Sequence, residues 1–156
     1  MKTIQDSQTR QVHMIRYQYM NGRRRLFGGA LLQWIDEIAG IVATRHTGGE
    51  VTTASVDHLE FKAPAFLNDI LTLEGRVTYI GRTSMEVRVD TYIEARDGQQ
   101  TLINRAYLTL VALDGEGRPT EIPQVALETE EERAEWAAGE GRYLARKAGR
   151  GVDRRG

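Results

Sequence analysis

The stretch Gly28-Gly29-Ala30-Leu31-Leu32-Gln33-Trp34-Ile35-Asp36-Glu37-Ile38-Ala39-Gly40-Ile41-Val42-Ala43-Thr44-Arg45 decides the fold. Leu31, Ile35, Ile38 and Val42 recur at helical spacing and no proline intervenes, which predicts one long helix. At steps of about 100° per residue, Trp34 and Ile41 fall nearly opposite Ala43 and Leu32. Apolar groups then cover most of the circumference, and such a helix must be wrapped by other structure.

The flanking sequence supplies the wrapping. Three runs alternate with period two, as half-buried strands do: Leu71 to Tyr79, Met85 to Ile93 and Tyr107 to Leu113. Gly81-Arg82-Thr83 joins the first two, and Asp97-Gly98 lies between the second and third, so both junctions fit tight antiparallel connections. Val12 to Tyr19 and Val51 to Phe61 are rich in β-branched and aromatic residues and add two strands. The expectation is an α+β chain: a first strand, the long helix, then a four-strand meander. One antiparallel sheet of about five strands would curl around the central helix, leaving an outer face in need of a partner. Thr129-Glu130-Glu131-Glu132 matches a capping box, and the run onward to Lys147 has acids early and bases late, which predicts a C-terminal surface helix. The expected division is a main domain over 8–125, a helical extension over 126–148 and a charged, glycine-rich flexible tail over 149–156.

Composition removes several chemistries. With no cysteine there is no disulfide framework, thiolate metal site or cysteine nucleophile. A formal net charge of -1 gives no global pull towards nucleic acid or a membrane surface. Met1 to Asp6 lacks the apolar run of a signal peptide and no stretch approaches a membrane span, so a cytoplasmic protein is expected. His13, His46 and His58 show no metal-ligand spacing, and ordinary structural roles are expected for them. No G-x-S-x-G element is present.

Two features of the long helix bear on chemistry. Asp36 shares a stripe with Gly29, Leu32, Ala39, Gly40 and Ala43, small groups that allow a ligand close approach, although structural acids occupy such positions too. Gly28-Gly29 opens the helix and leaves backbone N–H groups bare at its positive end, where an oxyanion would fit; the same pair also suits a tight turn. A carboxylate with oxyanion donors suits acyl transfer. Over eight residues the two lie about 12 Å apart along one helix, too far to act on one carbon. Asp36 of one chain facing Gly28-Gly29 of another would close that gap in a dimer. Arg23-Arg24-Arg25, Arg82, Arg142, Arg146 and Lys147 are candidate phosphate ligands or merely solubilising groups.

These residues resemble the acyl-CoA hydrolase branch of the hotdog-fold thioesterases, both the bacterial single-domain enzymes and the brain-type cytosolic ones. The resemblance rests on Leu26-Phe27-Gly28-Gly29, on Trp34 to His46, on Val51-Thr52-Thr53-Ala54-Ser55-Val56-Asp57 and on Gly81-Arg82-Thr83-Ser84-Met85-Glu86. It continues through Pro123-Gln124-Val125, Glu128-Thr129-Glu130 and Gly141-Arg142-Tyr143-Leu144. It implies a hotdog fold and hydrolysis of acyl-CoA to fatty acid and coenzyme A without a cofactor. It places the family's catalytic aspartate on Asp36, its oxyanion glycines on Gly28 and Gly29 and its upstream asparagine on Asn21, with Arg82, Thr83 and Ser84 as nucleotide contacts. A trimer of dimers, coenzyme A lying between subunits, is also implied. The chain departs from the pattern at Arg24 and Arg25, where relatives often carry glycine and then a polar residue. A non-catalytic acyl-CoA sensor on the same fold is the alternative, although no DNA-binding module precedes Val12. A hydratase would be expected to place a histidine beside the acid, and the helix offers none before its last residues.

Overall fold

A computed structural model of the chain describes residues 1–57 and 59–153, with side chains described as far as Gly149. The elements run α1 (Ile4–Ser7), β1 (Thr9–Met14), a short 3₁₀ turn (Tyr17–Tyr19), α2 (Gly28–Thr47), β2 (Glu50–Asp57), β3 (Ile70–Ile80), β4 (Ser84–Glu94), β5 (Gln100–Leu113) and α3 (Glu130–Asp153). The strands form one antiparallel sheet in the order β1-β3-β4-β5-β2, wrapped on α2. The expected α+β hotdog architecture is present.

Its connectivity corrects one expectation. Only β3, β4 and β5 form a meander; β2 pairs with β5 at the far edge rather than with β3. At about 1.5 Å per residue, α2 carries the chain some 30 Å across the sheet, and the segment between Asp57 and Ile70 is too long for a hairpin and brings it back. The helix stops where Gly48 adopts φ 72°, its N–H donating to the Thr44 carbonyl at 2.8 Å, a left-handed cap that glycine accepts without strain.

Both early strands are shorter than expected. β1 ends at Met14, and the chain through Tyr19 turns instead of extending. β2 ends at Asp57 because the ladder beyond it is taken over by other groups. Asn104 Nδ2 donates to the Glu60 carbonyl at 2.5 Å and Lys62 N–H to the Ile103 carbonyl at 2.9 Å. In β3 a bulge sets Thr78 and Tyr79 together against Glu86, so the period-two pattern changes phase. Tyr79 therefore turns to the outer face and meets Trp136 and Tyr143 of α3, while Ile80 drops into the core. The C-terminal helix extends through Asp153, past the expected start of the tail at Gly149; residues 154–156 lie outside the described residues.

The core between sheet and α2 is apolar. Leu31, Ile35, Ile38, Ala39, Val42 and Ala43 meet Leu71, Leu73, Val87, Val89 and Leu108, all fully buried. The opposite sheet face takes α3 through ions. Arg142 forks onto Glu86, Arg88 reaches Glu135 and Asp90, Arg105 pairs with Asp90 at 2.7 Å, and Arg76 with Glu131 at 3.0 Å.

Candidate active site

α2 is not wrapped on every side. Gln33, Asp36, Glu37, Thr44 and Arg45 form an exposed stripe on the single chain, and a cleft of about 450 Å³ runs beside it, lined by Gln11, Glu37, Gly40, Ile41 and Val51 among others. The expected small-residue stripe around Asp36 is thus divided. Ala39 and Ala43 are buried against the sheet, whereas Gly29 is open and Gly40 half-buried. Asp36 itself is exposed, so the chain alone supplies no desolvation there.

What holds Asp36 comes from β2. A register shift between Thr53 and Ser55 bulges the edge strand, and Thr53 Oγ1 donates to Asp36 Oδ1 at 2.6 Å. One carboxylate oxygen is fixed, and Oδ2 has no hydrogen-bond partner among the described residues. No role for Thr53 is evident in the sequence, because a threonine within a β-branched run carries no periodic signal. Its sole mark is membership of the Val51 to Asp57 motif.

The start of α2 fits donation. Phe27 occupies the N-cap with no capping side chain, and the first helical bonds run from Ala30 and Leu31 N–H to the Phe27 carbonyl at 3.0 and 3.3 Å. Gly28 and Gly29 N–H have no partner among the described residues. The Phe27 ring lies against Gly29 so closely that a Cβ there would fall 2.4 Å from it. Phe27 N–H donates to the Tyr19 carbonyl at 2.7 Å and Leu26 N–H to the Ala65 carbonyl at 2.8 Å, which pins this turn between two loops.

Asn21 sits in the first of those loops. Its Oδ1 accepts from the Arg23 and Arg25 N–H groups at 2.9 and 3.2 Å, so its Nδ2 is the end left to donate. It lines a cleft of about 250 Å³ with Arg25, Leu26, Phe61, Lys62 and others. Arg24, which stands where the resemblance leads one to expect glycine, takes φ 62° in the left-handed region, so the backbone demands there what glycine gives most easily.

A larger cleft, about 760 Å³, opens between the β3–β4 hairpin and the end of α3. Arg82, Thr83, Ser84, Tyr143, Arg146 and Lys147 line it. Of the sequence-derived phosphate candidates, Arg142 is not among its lining residues. Its guanidinium is spent on Glu86 at 2.8 and 2.9 Å and lies 4.0 Å over the Tyr107 ring, an arrangement that raises its pKa through the hydrogen bonds to Glu86.

The two described histidines are held by packing and hydrogen bonds. His46 is buried at the end of α2, and since the Pro123 carbonyl 2.7 Å away can only accept, its Nε2 carries the proton. His13 stacks on Trp34 with ring centroids 4.3 Å apart, and burial lowers its pKa against a smaller opposing effect of Glu37. His58 lies outside the described residues. Among the described residues no cluster of three potential metal ligands occurs.

With this geometry in place, the comparisons agree on one family. The sequence profile of the Thioesterase superfamily matches residues 25–98. The chain is 44% identical over 113 residues to the uncharacterized acyl-CoA thioester hydrolase YkhA of Bacillus subtilis, covering 72% of this chain and 66% of that protein. It is 34% identical over 152 residues to the cytosolic acyl coenzyme A thioester hydrolase of Homo sapiens, 95% of this chain but 40% of that one. It therefore spans less than half the length of such mammalian relatives. The acyl-CoA hydrolase of Staphylococcus aureus, solved with butyryl coenzyme A and coenzyme A, superposes with a TM-score of 0.91 at 36% identity, over 99% of this chain and 94% of that one. Structures of that enzyme also exist with alanine replacing an asparagine, an aspartate 15 residues later, or a threonine 17 residues after that. A hexameric acyl-CoA thioesterase superposes with a TM-score of 0.88 at 39% identity, over 94% of both chains. The chain belongs to the thioesterase superfamily, in the acyl-CoA hydrolase branch of its hotdog-fold members.

Proposed function

We propose that the chain hydrolyses fatty acyl-CoA to free fatty acid and coenzyme A, with Asp36 as the catalytic carboxylate. The observation that carries this is the Thr53–Asp36 hydrogen bond of 2.6 Å on the open stripe of α2. Asn21, Asp36 and Thr53 also keep the spacing of the asparagine, aspartate and threonine substituted in the Staphylococcus aureus enzyme. Thr53 holds Oδ1, and Oδ2 removes a proton from water as the water oxygen attacks the thioester carbonyl carbon. Gly28 and Gly29 N–H receive the tetrahedral oxyanion, and Asn21 Nδ2 donates beside them. The oxyanion then collapses, the carbon–sulfur bond breaks and coenzyme A leaves as its thiolate, which takes up the proton. Direct attack by the carboxylate, giving an anhydride that water opens, uses the same groups.

Asp36 and the glycine pair are about 12 Å apart along one helix, so the reading requires a dimer in which each chain lends the other its helix start. The open stripe of α2 and its cleft are the surface for that contact, and three such dimers would make the hexamer seen in the 39%-identical relative. Monomers isolated by dilution that kept full turnover would refute the shared site. Arg82, Thr83, Ser84 and Arg146 are the proposed nucleotide contacts. A cytosolic location belongs to the same proposal; among the described residues no helix is long and apolar enough to cross a membrane.

The test is coenzyme A release from acyl-CoAs of increasing chain length, wild type against Asp36→Asn. Since the chain has no cysteine, a thiol-reactive dye reports product without protein background. Loss of a general base predicts a fall in kcat of about 10²–10⁴ with the oligomer intact. Binding without turnover by wild type would replace the enzyme with an acyl-CoA sensor.

A further inference from the structure

Glu86 has no part in this chemistry, yet its side chain is only 1% exposed, on the outer face of β4 beneath the nucleotide cleft. Oε1 accepts from Thr78 Oγ1 at 2.7 Å and from Arg142 Nη2 at 2.8 Å, and Oε2 accepts from Arg142 Nε at 2.9 Å. A carboxylate this deep needs such partners, and Arg142 with Thr78 supplies them.

Arg146 lies one turn further along α3 and is held differently. Its Nη1 is 3.8 Å from Glu86 Oε2 and 3.6 Å from Asp57 Oδ2, near enough for attraction but too far for a hydrogen bond. Its Nε is buried with no partner among the described residues. The guanidinium is thus placed by charge with its donors unspent. It lines the cleft together with Arg82, Lys147, Thr83 and Ser84, a wall that holds three cations and several hydroxyls and, among the described residues, no carboxylate. Such a wall awaits an anion, and the full charge of Glu86 behind it keeps Arg146 from swinging out to water.

We propose that Glu86 is a positioning residue for substrate recognition. It holds Arg146 over the cleft so that the guanidinium donates to a phosphate of the coenzyme A moiety, which displaces Asp57 as the weaker partner. This rests on the reading of the chain as an acyl-CoA hydrolase. Arg142, bonded twice to Glu86, is the strut that fixes the carboxylate.

The experiment compares wild type, Glu86→Gln, Arg146→Gln and the double variant in acyl-CoA turnover and in calorimetric binding of adenosine 3′,5′-bisphosphate. Glu86→Gln is expected to raise KM about tenfold, as loss of a desolvated charge partner does, while kcat stays within about twofold. Affinity for the bisphosphate falls by the same factor. The double variant is no weaker than Arg146→Gln alone, because Glu86 acts through Arg146. If Glu86→Gln does not fold, Glu86→Asp keeps the buried charge but withdraws it by one methylene, and predicts a smaller shift with the same split. Unchanged bisphosphate affinity, additive effects, or a fall in kcat with KM constant would overturn the proposal and leave the hydrolase reading standing. Wild type that neither releases coenzyme A nor binds the bisphosphate would remove that reading itself.

Discussion

Under α2 the sheet presents Leu71, Leu73, Val87, Val89, Leu108 and Leu110, none more than 1% exposed. Under α3 the alternate residues of the same strands are Thr78, Glu86, Arg88 and Asp90, also buried but held in ion pairs and hydrogen bonds. The difference follows from what each helix must do. Apolar burial is non-directional, so the inner face supplies cohesion at about 25 cal/mol per Å² with little demand on register. Buried ion pairs add little net stability but punish any change of partner, so the outer face fixes where α3 stops and hence where Arg146 and Tyr143 stand at the cleft. Asp36, the carboxylate proposed as catalytic, rides on the helix held by cohesion, and the cleft proposed for the nucleotide is walled by the helix held by register.

If that contrast is right, removing one ion should hurt more than removing several together. Asp90→Ala leaves Arg88 and Arg105 without the carboxylate they share at 3.2 and 2.7 Å, and should lose about 3–5 kcal/mol by denaturant unfolding. Combining Arg88→Met, Asp90→Leu and Glu135→Gln removes the buried charges, leaves only the solvent-reached Arg105, and should recover most of that loss. A triple variant weaker than Asp90→Ala would mean the network contributes net stability, and the two faces would then differ less than argued.

A smaller effect probes how closely α3 approaches. At Gly139 an added Cβ would fall 2.7 Å from Tyr79 Cβ and 3.0 Å from Glu86 Oε1. Gly139→Ala should therefore cost about 1–3 kcal/mol of overpacking, reduced by up to about 1 kcal/mol of helix propensity. Gly141→Ala, with nothing within 4 Å, should gain propensity alone. Unfolding midpoints for the pair separate the readings, and equal behaviour would show that α3 does not depend on that close approach.

The inner layer was largely legible in the sequence because its signals are local. The 3.6-residue repeat of Leu31 to Val42 specified α2, and period-two runs located β3, β4 and β5. Position of β2 was not legible, since strand pairing joins Val51 to Ala112 across the chain and nothing near Val51 records it. Nor was the bulge at Thr78 and Tyr79, which turns an apparent core tyrosine outward to α3. At the site, Asp36 and the glycine pair stood out by type and place. Thr53 and Glu86 did not, because each is marked only by a contact far along the chain, 17 residues for Thr53 with Asp36 and 56 for Glu86 with Arg142. Arg142 looked like its neighbour Arg146 in sequence, and only the fold separates the arginine bonded twice to Glu86 from the one held at 3.6 and 3.8 Å by charge.

The smallest effect concerns His13, a titratable group on the inner face, stacked on Trp34 at 4.3 Å and 3.3 Å from Gln11 Oε1. Burial lowers its pKa below the ordinary imidazole value of about 6.5, with Glu37 opposing. The folded chain therefore binds this proton less readily than the unfolded one. Stability is level above about pH 6.5 and declines as pH falls from there to the lowered native value, below which both states are protonated and the decline ends. His13→Phe keeps a ring on Trp34 and removes the proton site. Its unfolding midpoint should drop less than that of wild type between about pH 7.5 and 5.5. Because His13 is only half-buried, the difference will be modest, and parallel pH profiles would assign the acid sensitivity to the ionic face instead.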